Sequence, residues 1–318
     1  MKILIYLLAL ISISFTVASC DTDTEATEVQ KPYTYSDLYY QNLRDYKASD
    51  HSIAWGWFAD YTQSHSLALR FLGLPDSLDI CSLWGGLPKD EAVWEELRFV
   101  QKVKGTKMVC PTIIRIEDKV AYGDQKFYQL FQDSYDSSKG TDDERLAMRH
   151  KALEMYADYL MDPIFENNLD GIDLDYEPEG DRLSGDNMIY FCEYIGKKIG
   201  PKSINPEKIF CIDFFGQYPP SECVPYVNYL VNQTYGGSPG QLGSFPVEKC
   251  IYTENVGDNW QKNECGQLLN YARWQPAKGR KGGFGAFYMH RDYNIANDNP
   301  YPYKRFREAI QIQNPAIY

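Results

Sequence analysis

Eight short apolar runs recur along the chain, at residues 52–58, 78–84, 107–115, 171–177, 208–215, 226–235, 249–256 and 282–289. Most are continuously apolar rather than alternating, the pattern of strands covered on both faces in a parallel sheet. Between several of them the apolar spacing changes to three and four residues. Residues 144–167 line up Leu146, His150, Leu153, Ala157, Leu160 and Ile164. Residues 89–102 line up Val93, Trp94, Leu97 and Val100, and residues 184–199 line up Met188, Phe191, Cys192 and Ile195. Each predicts an amphipathic helix. A last helical pattern at 302–312 opens on Pro302, which suits a first turn. Strand and helix alternating over eight strands predict a (β/α)8 TIM barrel. Two gaps break the alternation. Residues 216–225 contain Pro219 and Pro220, and residues 236–248 are rich in Gly, Ser and Pro. Neither reads as a helix, so the barrel is expected to lack regular helices 5 and 6. The competing fold is α+β, with these segments joining antiparallel hairpins.

The fourth run carries the chemistry. It reads Asp170-Gly171-Ile172-Asp173-Leu174-Asp175-Tyr176-Glu177. Alternate residues of a strand share a face, so Asp173, Asp175 and Glu177 point one way and Ile172, Leu174 and Tyr176 the other. Carboxylates crowded like this cannot all ionise at neutral pH without strain. A purely structural strand gains nothing from that cost, whereas a glycosidase needs a carboxyl held protonated near neutral pH. In a barrel the C-terminal strand ends form the active site. Glu177 then stands at the mouth before Pro178, with Asp175 and Asp173 progressively deeper. A proton shared by the deep pair, with Asp175 coupled to Glu177, is the expected arrangement.

Composition narrows the class. The 318 residues fit one large domain or two small ones, and no internal repeat or second-domain linker is visible. Formal net charge is −12, which argues against nucleic acid as a partner. Tyrosine is abundant, at 26 residues, as in a Tyr-rich core or a groove with stacking platforms for sugars. The N-terminus reads as a targeting segment. Lys2 is followed by an apolar stretch to Val17 that is short for a membrane span, then Val17-Ala18-Ser19-Cys20. Small residues before a Cys resemble a bacterial lipoprotein signal. Residues 1–19 would be cleaved and Cys20 lipidated, the alternative being an ordinary secretory cut near Ala18 or Ser19. Residues 20–44 are then an acidic, flexible tether, and residues 45–318 a single catalytic domain. Membrane contact would run through the lipid alone. Seven further cysteines remain. Cys81, Cys110, Cys211 and Cys250 lie in apolar runs and read as small buried hydrophobes. One disulfide, of Cys223 with Cys250 or Cys265, is open.

The Asp170-Gly171-x-Asp173-x-Asp175-x-Glu177 pattern resembles the signature of glycoside hydrolase family 18, and it falls on the fourth strand, where that family carries it. The family is a substrate-assisted exception among retaining glycosidases. The resemblance implies that Glu177 is the general acid and then base. The substrate's own 2-acetamido oxygen attacks C1, Asp175 orients the acetamido N–H, and Asp173 supports Asp175. Gln233 and Tyr235, ending the sixth run, are similar to the Gln-x-Tyr of the endo-β-N-acetylglucosaminidase branch, where they contact the acetamido group. Chitinases more often show Met-x-Tyr-Asp there and a Trp ending the eighth strand, where this chain has Phe287-Tyr288. Taken with the two missing helices, the resemblance implies an enzyme that cuts the GlcNAc-β1,4-GlcNAc core of N-linked glycans. A bacterial outer-membrane lipoprotein, facing the cell surface, is the implied setting. A chitinase-like hydrolase and a non-catalytic glycan-binding lipoprotein are the alternatives. Trp57, Trp84, Asp213 and Tyr288 are further substrate-binding candidates, set against core packing for the two Trp and a core hydrogen bond for Asp213. No metal or cofactor is expected: an EF-hand starting at Asp173 would need Gly where Pro178 stands. The chain is expected to act as a monomer.

Overall fold

The computed structural model describes residues 33–62, 66–293 and 302–316. Eight strands close a barrel in sequence order, β1 Ile53–Trp57, β2 Ile80–Ser82, β3 Lys107–Ile113, β4 Gly171–Tyr176, β5 Ile209–Phe214, β6 Tyr229–Asn232, β7 Cys250–Asn255 and β8 Gly283–Phe287. Every neighbouring pair is parallel, and β1 closes on β8. Each strand falls inside one of the eight apolar runs, and the α+β alternative is excluded. The runs are continuous because both faces are covered: all five residues of β1 and all six of β4 are buried.

Four helices match the periodic stretches: α2 Glu91–Lys102, α5 Asp142–Glu166, α6 Gly185–Lys198 and α9 Lys304–Gln313. The start of α5 is set by a capping box, the Thr141 hydroxyl taking the Glu144 N–H while the Glu144 carboxylate takes the Thr141 N–H. Short helices α3 Lys119–Tyr122, α4 Lys126–Asp133, α7 Val256–Asn259 and α8 Leu268–Arg273 complete the layer. One further helix, α1 Asp37–Ala48, precedes the barrel. It corrects the expected tether. With Asp37 as its first residue, α1 shows that folded structure begins before residue 45. Ser36 caps α1, Tyr40 and Leu43 are buried, and the Tyr39 hydroxyl donates to Asp76 Oδ2 at 2.7 Å. The expected signal segment 1–19 and the lipidated Cys20 lie outside the described residues.

No regular helix follows β5 or β6. Each connection holds a single 3-10 turn, Ser221–Cys223 and Val247–Lys249, and each turn starts on a proline, Pro220 or Pro246. The outward face of β5 still needs cover. Tyr218 and Phe245 supply it, with ring centroids 5.2 and 6.1 Å from buried Phe214. Two aromatic side chains thus replace a helix.

Inside the barrel, Ile53, Trp55, Ile80, Val109, Cys211, Val231 and Ile251 fill the lower layers. Trp55 fits because β8 offers glycine opposite it. A Cβ on Gly285 would lie 2.9 Å from both Thr253 Cγ2 and Trp55 Cβ. All seven described cysteines are free. Cys223 neighbours Cys192 on α6, not Cys250 or Cys265, and Cys110 is only half-buried.

Candidate active site

The acid run emerges as its alternation requires. Asp173 and Asp175 point into the barrel, 0% and 3% exposed, and half-buried Glu177 follows β4 at the mouth. Asp170 faces the opposite end. It accepts Met108 N–H at 2.9 Å and Gln101 Nε2 at 2.7 Å, tying β4 to β3 and α2. Asp173 Oδ2 takes two donors, Trp57 Nε1 at 2.8 Å and the Ser82 hydroxyl at 2.7 Å. From β6, Gln233 Nε2 donates to Asp213 Oδ1 at 2.6 Å and to Asp175 Oδ1 at 3.1 Å.

Tyr235 sits beyond β6 in a left-handed turn, φ 37°, with its N–H on the Thr253 carbonyl at 3.0 Å. The turn brings its ring between Phe215 and Phe287, each centroid 6.1 Å away. Burial and the negative charge of Asp213, Asp175, Glu177 and Asp173 push its phenol well above the usual range. Tyr235 therefore remains an O–H donor.

Three expectations change in detail. Trp57 is 1% exposed and holds Asp173, so it offers no platform to a sugar. Asp213 is 0% exposed and joins the acid cluster instead of a subsite. Trp84 stays at the mouth, half-buried, its ring edge-on to Phe287 at 5.2 Å. At the end of β8 it is Phe287, not Tyr288, that enters the site. Phe287 packs against Trp57, Trp84 and Tyr235, whereas Tyr288, at φ 50°, lies behind it, edge-on to Phe287 at 4.5 Å and beside His290. Strand parity carries this signal, since Gly283, Gly285 and Phe287 share a face. The same parity marks Ser82 through Ile80 and Trp84, and Ile113, 44% exposed at the top of β3 in register with Asp175.

Electrostatics follow from burial. Desolvation raises Asp173 to about 6, against the pull of its donors Ser82, Asp213 and Trp57. Desolvation, then the charge of Glu177, raises Asp175 to about 7. A carboxyl raised in this way adds stability below its unfolded pKa, near 4, and that contribution is lost as pH rises through about 7. The melting temperature of Asp175→Asn relative to wild type is therefore expected to climb between acidic and mildly alkaline pH, by a few degrees. Thermal scans across that window check it, and a flat difference would show that Asp175 is not strained by ionisation.

A carboxyl at the mouth, a buried carboxyl beside it that resists ionisation, and a neutral amide and a phenol next to them form a site for acid/base work. A model of glycoside hydrolase family 18, BT1044-like, matches residues 17–245. Endo-β-N-acetylglucosaminidase F2 of Elizabethkingia meningoseptica is 29% identical over 324 aligned positions, taking in 89% of this chain and 88% of that protein. Two solved structures share the fold. BT1044 superposes with a TM-score of 0.69 at 23% identity, covering 89% of this chain and 94% of the other. An endo-β-N-acetylglucosaminidase of Cordyceps militaris in its apo form superposes at 0.62 with 22% identity, covering 89% and 98%. The chain belongs to glycoside hydrolase family 18.

Proposed function

We propose that the protein is a retaining endo-β-N-acetylglucosaminidase that hydrolyses the GlcNAc-β1,4-GlcNAc core of N-linked glycans. The carrying observation is Asp175. It lies beside Glu177, resists ionisation, and is held by the Gln233 amide. A carboxyl partly protonated at neutral pH makes a poor nucleophile. It is well suited to grip an amide N–H. The attacking group is then the substrate's 2-acetamido oxygen, already at very high effective concentration. Glu177 protonates the glycosidic oxygen, the acetamido oxygen closes on C1 with retention-setting inversion, and the leaving GlcNAc departs with the glycoprotein. With its carboxyl near a pKa of 7, Asp175 ionises at little cost at neutral pH, and as the anion it balances the positive charge of the ring formed, while the Tyr235 hydroxyl holds the acetamido oxygen in place. Water activated by Glu177 opens the ring and completes net retention. Similarity to endo-β-N-acetylglucosaminidase F2 over most of both chains supports the endo reading, as does Gln233-x-Tyr235.

Mass spectrometry of a high-mannose and a complex glycoprotein after incubation tests the activity. Release of glycans ending in one GlcNAc, with one GlcNAc left on asparagine, is expected. Cleavage of chitin oligomers alone would replace this reading with a chitinase, and no cleavage of either would leave a binding protein. The aromatic mouth makes a separate prediction. Phe287→Ala should lower kcat/KM about tenfold or more, mainly through KM, by removing an apolar wall. Tyr288→Ala should change it little; the reverse order would restore Tyr288 as the subsite residue. We further propose lipidation at Cys20 as the anchor to the outer membrane.

A further inference from the structure

Asp213 lies outside the signature run, and the mechanism above gives it no task. It is nonetheless a fully buried acid placed directly beside the reacting pair, in register with Asp175 across the β4–β5 ladder. We propose that Asp213 is a positioning residue that permanently carries a proton, donates it to Asp173 so that Asp173 can be the anion, and with its other oxygen fixes the orientation of Gln233. The inference rests on the endo-glycosidase reading for its kinetic arm only.

The argument is one of oxygens and donors. Asp173 Oδ2 holds two donors, while its buried Oδ1 has no donor among the described residues. Asp213 Oδ1 holds the Gln233 amide, while its buried Oδ2 likewise has none. Asp213 neighbours both Asp173 and Asp175 in the buried cluster. Two buried anions side by side, each with a bare oxygen, would be very costly, and a proton on one of them relieves both. The donors that reach the cluster, Trp57, Ser82 and Gln233, are all neutral, so no cation takes the proton's place. The proton belongs on Asp213 because Asp173 has two donors stabilising its anion and Asp213 has one. Burial and the facing charges of Asp173 and Asp175 act the same way, raising Asp213 well above the carboxylate range. The other titratable groups of this cluster are Glu177 beyond β4, Tyr235 beyond β6, Cys211 on β5 and Cys110 on β3. None brings a positive charge.

The consequence reaches the substrate through Gln233. With Asp213 Oδ1 and Asp175 Oδ1 both taking its Nε2, the amide is locked nitrogen-inward, leaving Oε1 as an acceptor for a substrate hydroxyl while the acetamido N–H goes to Asp175. Asn can imitate a protonated Asp here, its Nδ2 donating to Asp173 and its Oδ1 accepting from Gln233. Leu fills the space but does neither.

The test uses the whole protein with Asp213→Asn and Asp213→Leu. The infrared difference spectrum, wild type minus Asp213→Asn at mildly alkaline pH, where exposed carboxyls are ionised, should show the carbonyl stretch of a protonated acid. On an asparagine-linked glycopeptide, Asp213→Asn should keep kcat within about threefold of wild type. Asp213→Leu should lose about ten- to a hundredfold in kcat with a smaller change in KM. An absent protonated-acid band, or Asp213→Asn falling as far as Asp213→Leu, overturns the proposal. Should Asp213→Leu fail to fold, the infrared band and the kcat of Asp213→Asn decide it. Should wild type cleave no glycopeptide, the endo reading fails while the infrared band still decides where the proton sits.

Discussion

Replacing Glu177 with Gln is expected to lower turnover by about a hundred- to ten-thousandfold, the range lost with a general acid, while glycan binding survives. The residue sits one step beyond β4, and the following Pro178 restricts its backbone to extended conformations. Its carboxyl is thereby directed to the mouth, on the same face as Asp175. Gln keeps the shape and can still hydrogen-bond the glycosidic oxygen, but it has no proton to transfer in either step. On the proposed reading, binding rests on the aromatic walls of Trp84, Tyr235 and Phe287 and on Gln233, none of which the exchange touches. Turnover of a glycopeptide and its binding by calorimetry measure the two halves of the claim. Wild-type turnover in Glu177→Gln would remove Glu177 from the proton-transfer role.

The second large effect is expected at Asp175. Asn preserves the hydrogen bond to an acetamido group but cannot carry the charge that balances a developing oxazolinium ion. Loss of a preorganised electrostatic partner of this kind costs about a hundredfold or more in the step it serves. The loss should fall on formation of the intermediate, so rapid-quench kinetics should show the first step slowed and no build-up of the intermediate. An unchanged first step would contradict the role given to Asp175. The same substitution is expected to stabilise the fold at higher pH, because it removes a carboxyl that burial and Glu177 hold near a pKa of 7. Gain in stability with loss in rate at one position is what a site strained for function predicts.

Much of this was legible in the chain itself. Parallel strands buried on both faces write themselves as unbroken apolar runs, and all eight fall where those runs are. The two absent helices were legible through Pro219, Pro220 and the glycine-rich segment after Tyr235, because proline and glycine cannot sustain a helix there. Asp173, Asp175 and Glu177 were legible because period two is local and survives any tertiary context. Helix α1 was not, since two buried positions, Tyr40 and Leu43, make too thin a stripe among polar neighbours. Parity puts Ser82 and Trp57 on inward faces, but their hold on Asp173 arises only when the barrel closes and brings β1 and β2 near β4, which no spacing along the chain encodes. Tyr288 follows the end of the eighth strand, whereas parity from Gly283 and Gly285 puts Phe287 on the inward face. Asp213 was visible as an inward acid, but its partnership with Asp173 needs the β4–β5 register.

The central claim is that the nucleophile belongs to the sugar. It is tested most directly with a series of glycopeptide or chromogenic substrates in which the 2-acetamido group carries none, one, two or three fluorines. Each fluorine weakens the carbonyl oxygen as a nucleophile while barely changing size. The account predicts that kcat falls steeply and progressively along the series. A rate indifferent to fluorination, or an enzyme that cleaves a 2-hydroxyl analogue as readily, would contradict it.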